Sequence, residues 1–186
     1  MPTEQLTVRE AHRNDAQWMQ AAFTANAWRR AAYFEEICLQ QDAGLLALLV
    51  AEMGPRVYAG HLRIHWESDY PPFKEAGIPE IQDLFVLSRY RRQGIATRLL
   101  DVAEETIARR AAQRQQPPLA GIGVGLYADY GPAQRLYTLR GYVPDGRGAH
   151  YRDRPIRGGQ VLPFDDETVL YLLKALHPSP LPSPDL

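Results

Sequence analysis

Arg89, Arg91 and Arg92 are packed just before Gly94, where an apolar strand gives way to a helix-like pattern. A helix N-terminus carries unpaired backbone N–H groups and a partial positive charge, so acidic residues are its usual neighbours. Arginines there make sense when a polyanion sits at that point and amides, dipole and guanidiniums all face it. Gly94 lets the backbone come close to such a ligand. The plainer alternative is a solvated basic turn. No Gly-Lys-Ser/Thr triplet follows Gly94, so a P-loop is not supported. Gly121, Gly123 and Gly125 imitate a dinucleotide fingerprint, but Leu126 stands where its third glycine belongs. Those glycines fit a distorted strand or a close backbone approach better.

Other side chains offer narrower chemistry. Strand alternation over EIQDLFVL puts Glu80, Gln82, Leu84 and Val86 on one face and Asp83 on the other. Trp66, Tyr70 and Phe73 interleave with Glu67, Asp69 and Glu75, a mixture of aromatic faces and carboxylates that suits a cationic amine. An ordinary surface loop with a few aromatics tucked beneath it would read the same way. His61 and His65 fall on one strand, about 13 Å apart, too far to share a metal. No Gly-x-Ser-x-Gly occurs, which leaves a serine hydrolase without support. Cys38 shares an apolar stripe with Phe34 and Ile37 and reads as a small core residue.

The elements that must hold these residues alternate. Residues 5–11 read as a strand, followed by two helical patterns, AQWMQAAFTANAW and AAYFEEICLQQ, that end near Gly44. LLALLVAEM is a buried strand, and RVYAGHLRIHWES pairs with it across the Gly54-Pro55 turn. DYPPFKEAGIP is a proline-broken loop before EIQDLFVL. A long helix from Ile95 carries Leu99, Val102, Ala103 and Ile107 on one stripe. LAGIGVGLY is a glycine-rich strand, and GPAQRLYTLRG is a helix with Pro132 near its start and Gly141 as its stop. A strand from Tyr142, a turn-rich stretch and a last strand, ETVLYLLKAL, follow. The alternation indicates an α/β or α+β sheet domain.

The chain has 186 residues, 45% hydrophobic and 23% charged, with a formal net charge of -1. That length fits one domain, here residues 1–176, with a disordered Pro-rich tail over 177–186. Near-neutral charge argues against a nucleic-acid partner. One cysteine excludes a disulfide framework and any multi-cysteine metal site. The N-terminus lacks a signal-peptide pattern and no apolar run is long enough for a membrane, so a cytoplasmic location is expected.

RRQGIA at 91–96 resembles the Q/R-x-x-G-x-G/A signature of the GNAT superfamily of N-acetyltransferases, and GLYADYGPAQRLYTLRGYVPDG is similar to that family's fifth strand, next helix and sixth strand. The resemblance spans residues 5–175. It implies a central mixed, mostly antiparallel sheet of about seven strands, splayed between the fourth and fifth, with about four flanking helices. It also implies acetyl-CoA as co-substrate and no metal. Backbone groups of Leu84, Phe85 and Val86 would bind the pantetheine arm. Arg91 would open the pyrophosphate motif, with amides of Arg92, Gln93, Gly94, Ile95, Ala96 and Thr97 holding the pyrophosphate. Tyr137 occupies the position of the family's general acid, and Glu80 that of a catalytic base in several members. Tyr130 stands where many members have an asparagine on the cofactor arm. Trp28, Tyr33 and Phe34 would lie near the acceptor. The expected reaction is acetyl transfer to a primary amine of a small molecule. A protein or peptide acceptor, or a non-catalytic acyl-CoA sensor, are the alternatives. Homodimers are common in the family.

Overall fold

The computed structural model describes residues 5–24 and 32–176. It divides into two compact units, Met1–Ser68 with Pro79–Ala103, and Asp69–Ile78 with Glu104–Leu186. The tail at 177–186 and Trp28 lie outside the described residues.

The first unit is an antiparallel meander. Strands β1 (Leu6–Glu10), β2 (Leu46–Met53), β3 (Tyr58–His65) and β4 (Glu80–Val86) pair in that order. Almost every residue of β2 is buried, which explains why its sequence is apolar apart from Glu52 rather than alternating; Glu52 pairs with Arg9 at 2.6 Å. Helices α1 (Ala16–Thr24) and α2 (Tyr33–Asp42) bring Met19, Phe23, Phe34, Ile37 and Cys38 onto Leu46, Leu48, Val50 and Tyr58. Cys38 is a buried free thiol within this cluster, as its place on the apolar stripe predicts. Helix α4 (Ile95–Gln113) starts in this unit and ends in the second.

Gly60 on β3 faces Val86, and a Cβ there would overlap the Phe85 carbonyl. Backbone cannot step aside cheaply, so Gly60→Ala is expected to destabilise the protein by about 1–3 kcal/mol. A urea-denaturation midpoint that does not move would contradict this close approach.

The second unit holds α3 (Pro71–Ala76), β5 (Leu119–Gly125), α5 (Gly131–Leu139), β6 (Val143–Tyr151), β7 (Arg154–Pro155) and β8 (Thr168–Ala175). Its strands run in the order β5-β8-β6-β7, again antiparallel. Its core gathers Tyr70, Phe73, Ile78 and Tyr171, with Leu119, Val169 and Leu173 packed on them.

The described residues thus form eight strands and five helices, one of each more than the sequence pattern suggests. The added strand, β7, is only two residues long. The added helix, α3, occupies the stretch that reads as a proline-broken loop. Pro71 and Pro72 sit in its first turn, where a missing N–H costs no hydrogen bond, and Gly77 ends it at φ 64°.

Candidate active site

The arginine-rich segment forms a turn of alternating backbone handedness. Ser88–Tyr90 is a short 3-10 turn, Arg91 is extended, and Arg92 and Gly94 both take left-handed φ values, 64° and 80°. The first backbone bond into α4 runs from the Arg98 N–H to the Gly94 carbonyl at 2.9 Å. The six amides from Arg92 through Thr97 therefore have no backbone acceptor among the described residues. Successive amides in such a turn make an anion-binding concavity, and the helix dipole adds to it. Two side chains brace the turn: Arg91 Nε donates to the Val86 carbonyl at 3.1 Å, and Gln93 Nε2 donates to the Arg89 carbonyl at 3.3 Å. Arg89, Arg91, Arg92 and Arg98 are exposed, and none has a carboxylate within ion-pair distance among the described residues. No heavy atom of the described residues lies within 4 Å of the position a Cβ at Gly94 would take, so the space over it is open.

A bulge in β4 changes which side chains share a face. Arg63 pairs with Gln82 and His61 with Phe85, so Asp83 and Leu84 together oppose the single residue Leu62. Asp83 absorbs the extra residue at φ 56°, a left-handed value inside a strand. Simple alternation sends Asp83 away from Glu80. Instead the Asp83 carboxylate lies 2.9 Å from His61 Nε2 and 3.5 Å from Arg63 Nε, on the face that carries Glu80 opposite His65. Leu84 and Val86 correspondingly do not share that face. A single αL residue produces this inversion, because the side-chain period of a strand is two. Glu80 is buried, and the Ser68 hydroxyl donates to its Oε2 at 2.5 Å. Tyr33, at the start of α2, donates from its phenol to Asp83 Oδ2.

Of the residues expected on the pantetheine path, Phe85 and Val86 remain paired with β3 while Leu84 lies in the bulge. The Phe85 ring packs against Phe23 and His61, at centroid distances of 4.8 and 5.7 Å.

In the second unit Tyr137 lies on α5, 6% exposed, with its ring edge-on to Tyr142 at 6.0 Å. Burial pushes its phenol up from 10 to about 12. The folded state therefore holds this proton more tightly than the unfolded chain does. The associated stability is full below pH 10 and is lost as pH rises from 10 to about 12, up to about 3 kcal/mol in all. Burial also raises Tyr70, Tyr130 and Tyr142, so the contribution of Tyr137 is a difference between two proteins. Tyr137→Phe should lose less stability than the unsubstituted chain between about pH 9 and about pH 11.5, read from urea midpoints. Parallel declines would mean that the phenol is not buried in solution.

Tyr130 does not take up the asparagine's role by position alone. Its ring covers Gly125, where a Cβ would overlap it, and its phenol donates to Asp166 at 2.9 Å. This close approach, and that of the Phe73 ring over Gly121, account for two of the three glycines of β5.

Of the aromatic residues read as an acceptor pocket, Trp66, Tyr70 and Phe73, the last two lie in the core of the second unit. Tyr70 and Phe73 are 1% and 2% exposed. Tyr70 stacks on Tyr171 at 3.6 Å and 7°, and donates to Asp145 at 2.8 Å. Phe73 meets both rings edge-on. Their faces are taken up by core packing in this structure. Trp66 is half-buried in the first unit, at the end of β3. His61 and Arg63 are the residues that sequence reasoning missed. Their signal was a polar pair inside an otherwise apolar strand, and nothing local announced the carboxylate that meets them.

Among the described residues no group of three or more His, Cys, Asp or Glu side chains converges to hold a metal ion. None of the helices described is long and apolar enough to cross a membrane.

Comparison with known proteins bears on this arrangement. The profile of the family described as acetyltransferase (GNAT) matches residues 7–142. No curated protein matches the sequence. Among solved structures, an acetyltransferase of the GNAT family from Streptococcus pneumoniae is 19% identical with a TM-score of 0.62, covering 92% of this chain and 100% of its own. One from Staphylococcus aureus is 15% identical with a TM-score of 0.59, over 93% and 100% of the two chains. The dodecameric spermidine N-acetyltransferase of Vibrio cholerae is 15% identical with a TM-score of 0.61, over 92% and 94%. At these identities the likeness is one of fold, and it agrees with the mixed α/β architecture.

Proposed function

Because the chain belongs to the acetyltransferase (GNAT) family, we propose that it transfers an acetyl group from acetyl-CoA to a primary amine of a small molecule, by direct attack with both substrates bound. The observation that carries this reading is the run of six amides from Arg92 to Thr97 with no backbone acceptor among the described residues, beside exposed arginines and open above Gly94. That donor set fits a pyrophosphate: many N–H groups, fixed positive charge, and no side chain in the way. Bound there, acetyl-CoA supplies an acyl thioester activated toward amines.

The chain's own residues do the rest. Backbone groups along Leu84, Phe85 and Val86 hold the pantetheine arm. Orienting two bound substrates is the largest contribution such a site makes. Glu80, kept in one position by the Ser68 hydroxyl, accepts the proton that the incoming amine must lose. Tyr137 donates a hydrogen bond to the departing thiolate. Its raised pKa keeps the phenol neutral over the working pH range.

The test is acetyl-CoA-dependent thiol release with pooled acceptors: polyamines, aminoglycosides, amino acids, arylalkylamines and short peptides. The acceptor named by the Vibrio cholerae structure places spermidine in the first pool. Release above the no-acceptor rate is expected from a small-amine pool. Release only with peptides would replace the small-molecule acceptor by a protein one. CoA binding without release from any pool would favour a sensor, and no CoA binding would overturn the reading at Arg91.

A further inference from the structure

A connected set of buried polar groups in the first unit has no part in the roles above. His61 is completely buried, and it is surrounded by the rings of Phe23, Phe34 and Phe85 at 5.7, 5.1 and 5.7 Å. Its Nε2 lies 2.9 Å from Asp83 Oδ2 and its Nδ1 lies 2.5 Å from the Tyr58 hydroxyl. Facing an ionised carboxylate, Nε2 must carry the hydrogen. In the neutral tautomer Nδ1 is then the acceptor and Tyr58 the donor, so that both neighbours are satisfied. Tyr33 donates to the same Oδ2, and the Arg63 guanidinium approaches it at 3.5 Å. Donors from β3 and α2 thus pin one carboxylate oxygen, on a residue whose backbone is itself left-handed.

An aromatic shell of this kind packs at least as well around apolar residues, and replacing a buried polar cluster by apolar groups is often neutral for stability. What the cluster provides is direction. Strain of this type concentrates where a side chain must be aimed. Asp83 is aimed onto the Glu80 face, and its side chain keeps 5% exposure.

We propose that Asp83 binds the ammonium group of the acceptor and that His61, locked by Tyr58, is the positioning residue that aims it. The acceptor class is then an amine that arrives protonated. The inference rests on the transferase reading and deepens it. Oδ2 of Asp83 already accepts from several donors, which makes this carboxylate a poor proton acceptor and a good anchor. Before attack the ammonium gives up one proton to Glu80, directly or through water: the N–H bond breaks, the proton ends on the carboxylate, and the electron pair stays on nitrogen.

The test uses whichever amine gives most thiol release in the pooled screen, with KM and kcat measured separately for amine and acetyl-CoA. Asp83→Asn should raise the amine KM by about thirtyfold or more, the range for losing a charged hydrogen-bond partner. His61→Leu should raise it by about tenfold, and His61→Gln, which keeps an N–H donor, should recover most of that loss. The acetyl-CoA KM should not move in any of them. An unchanged amine KM in Asp83→Asn would overturn the proposal. So would equal losses in His61→Leu and His61→Gln, which would make His61 merely structural. If His61→Leu does not fold, Tyr58→Phe takes its place: it frees the imidazole without emptying the core, and should raise the amine KM while His61→Gln stays near the parent. Failure of the underlying reading looks different: CoA binding is then absent in the unsubstituted protein, or no amine releases thiol.

Discussion

Gly94→Glu is expected to raise the dissociation constant for CoA by at least about a hundredfold, with the fold intact. Two effects act together. Gly94 has φ 80°, and a side chain at such a value costs about 1–2 kcal/mol. No heavy atom lies within 4 Å of the position a Cβ would take, so the glutamate has room and does not disturb packing. Its carboxylate then stands among the amides that would hold pyrophosphate. Two like charges about 4 Å apart near a protein surface repel by about 4 kcal/mol, which alone exceeds a hundredfold. Gly94→Ala separates the causes, because it carries the backbone strain without the charge and should weaken binding far less. Calorimetric titration of both variants with CoA reads the difference. If Gly94→Glu binds CoA as the parent does, the turn before α4 is a solvated basic loop.

This turn was legible in the sequence because its chemistry is local. Arginines, a glycine and a helix start lie within a few positions, and each is an exception that the others explain. The architecture was legible for a related reason: the apolar runs of β2 and β3 and the helical stripe of α4 stand out, and glycines such as Gly44 and Gly141 end elements by themselves.

What escaped depended on long-range partners. Tyr70 and Phe73 read as loop aromatics beside carboxylates, but Tyr171, a hundred residues on, stacks on Tyr70, and Gly121 leaves the space into which the Phe73 ring fits. No local pattern announces that pairing. The face of Asp83, second to Glu80 as a candidate base in the sequence, escaped for a subtler reason. A strand pattern is read with a period of two, and one left-handed residue reverses the faces beyond it. Aspartate tolerates that conformation better than most residues, but nothing in EIQDLFVL marks the bulge. The role of His61 escaped with it, since the significance of a buried strand histidine lies in the carboxylate it meets.

Tyr137→Phe is the second large effect expected: kcat falls by about ten- to a hundredfold while CoA affinity stays within a factor of about two. The size follows from the phenol's environment. With a pKa of about 12, Tyr137 is a weaker acid than a free tyrosine. A thiol resembling cysteine ionises near ~8.5, so complete transfer of the phenol proton to the thiolate is uphill by about 3.5 units, or about 5 kcal/mol. Tyr137 is therefore better suited to stabilising negative charge as it develops on sulfur than to surrendering its proton outright. The final proton can come from solvent once CoA departs. A hydrogen bond to a charged group contributes about 1.5–3 kcal/mol, which sets the loss on removing the hydroxyl. The ring remains, so its edge contact with Tyr142 and the packing of α5 persist. Pre-steady-state thiol release, with CoA affinity measured separately, tests this directly. A fall in both quantities by the same factor would make Tyr137 a structural residue. A descending limb in the kcat–pH profile well below 12 that disappears in Tyr137→Phe would contradict a phenol held at about 12.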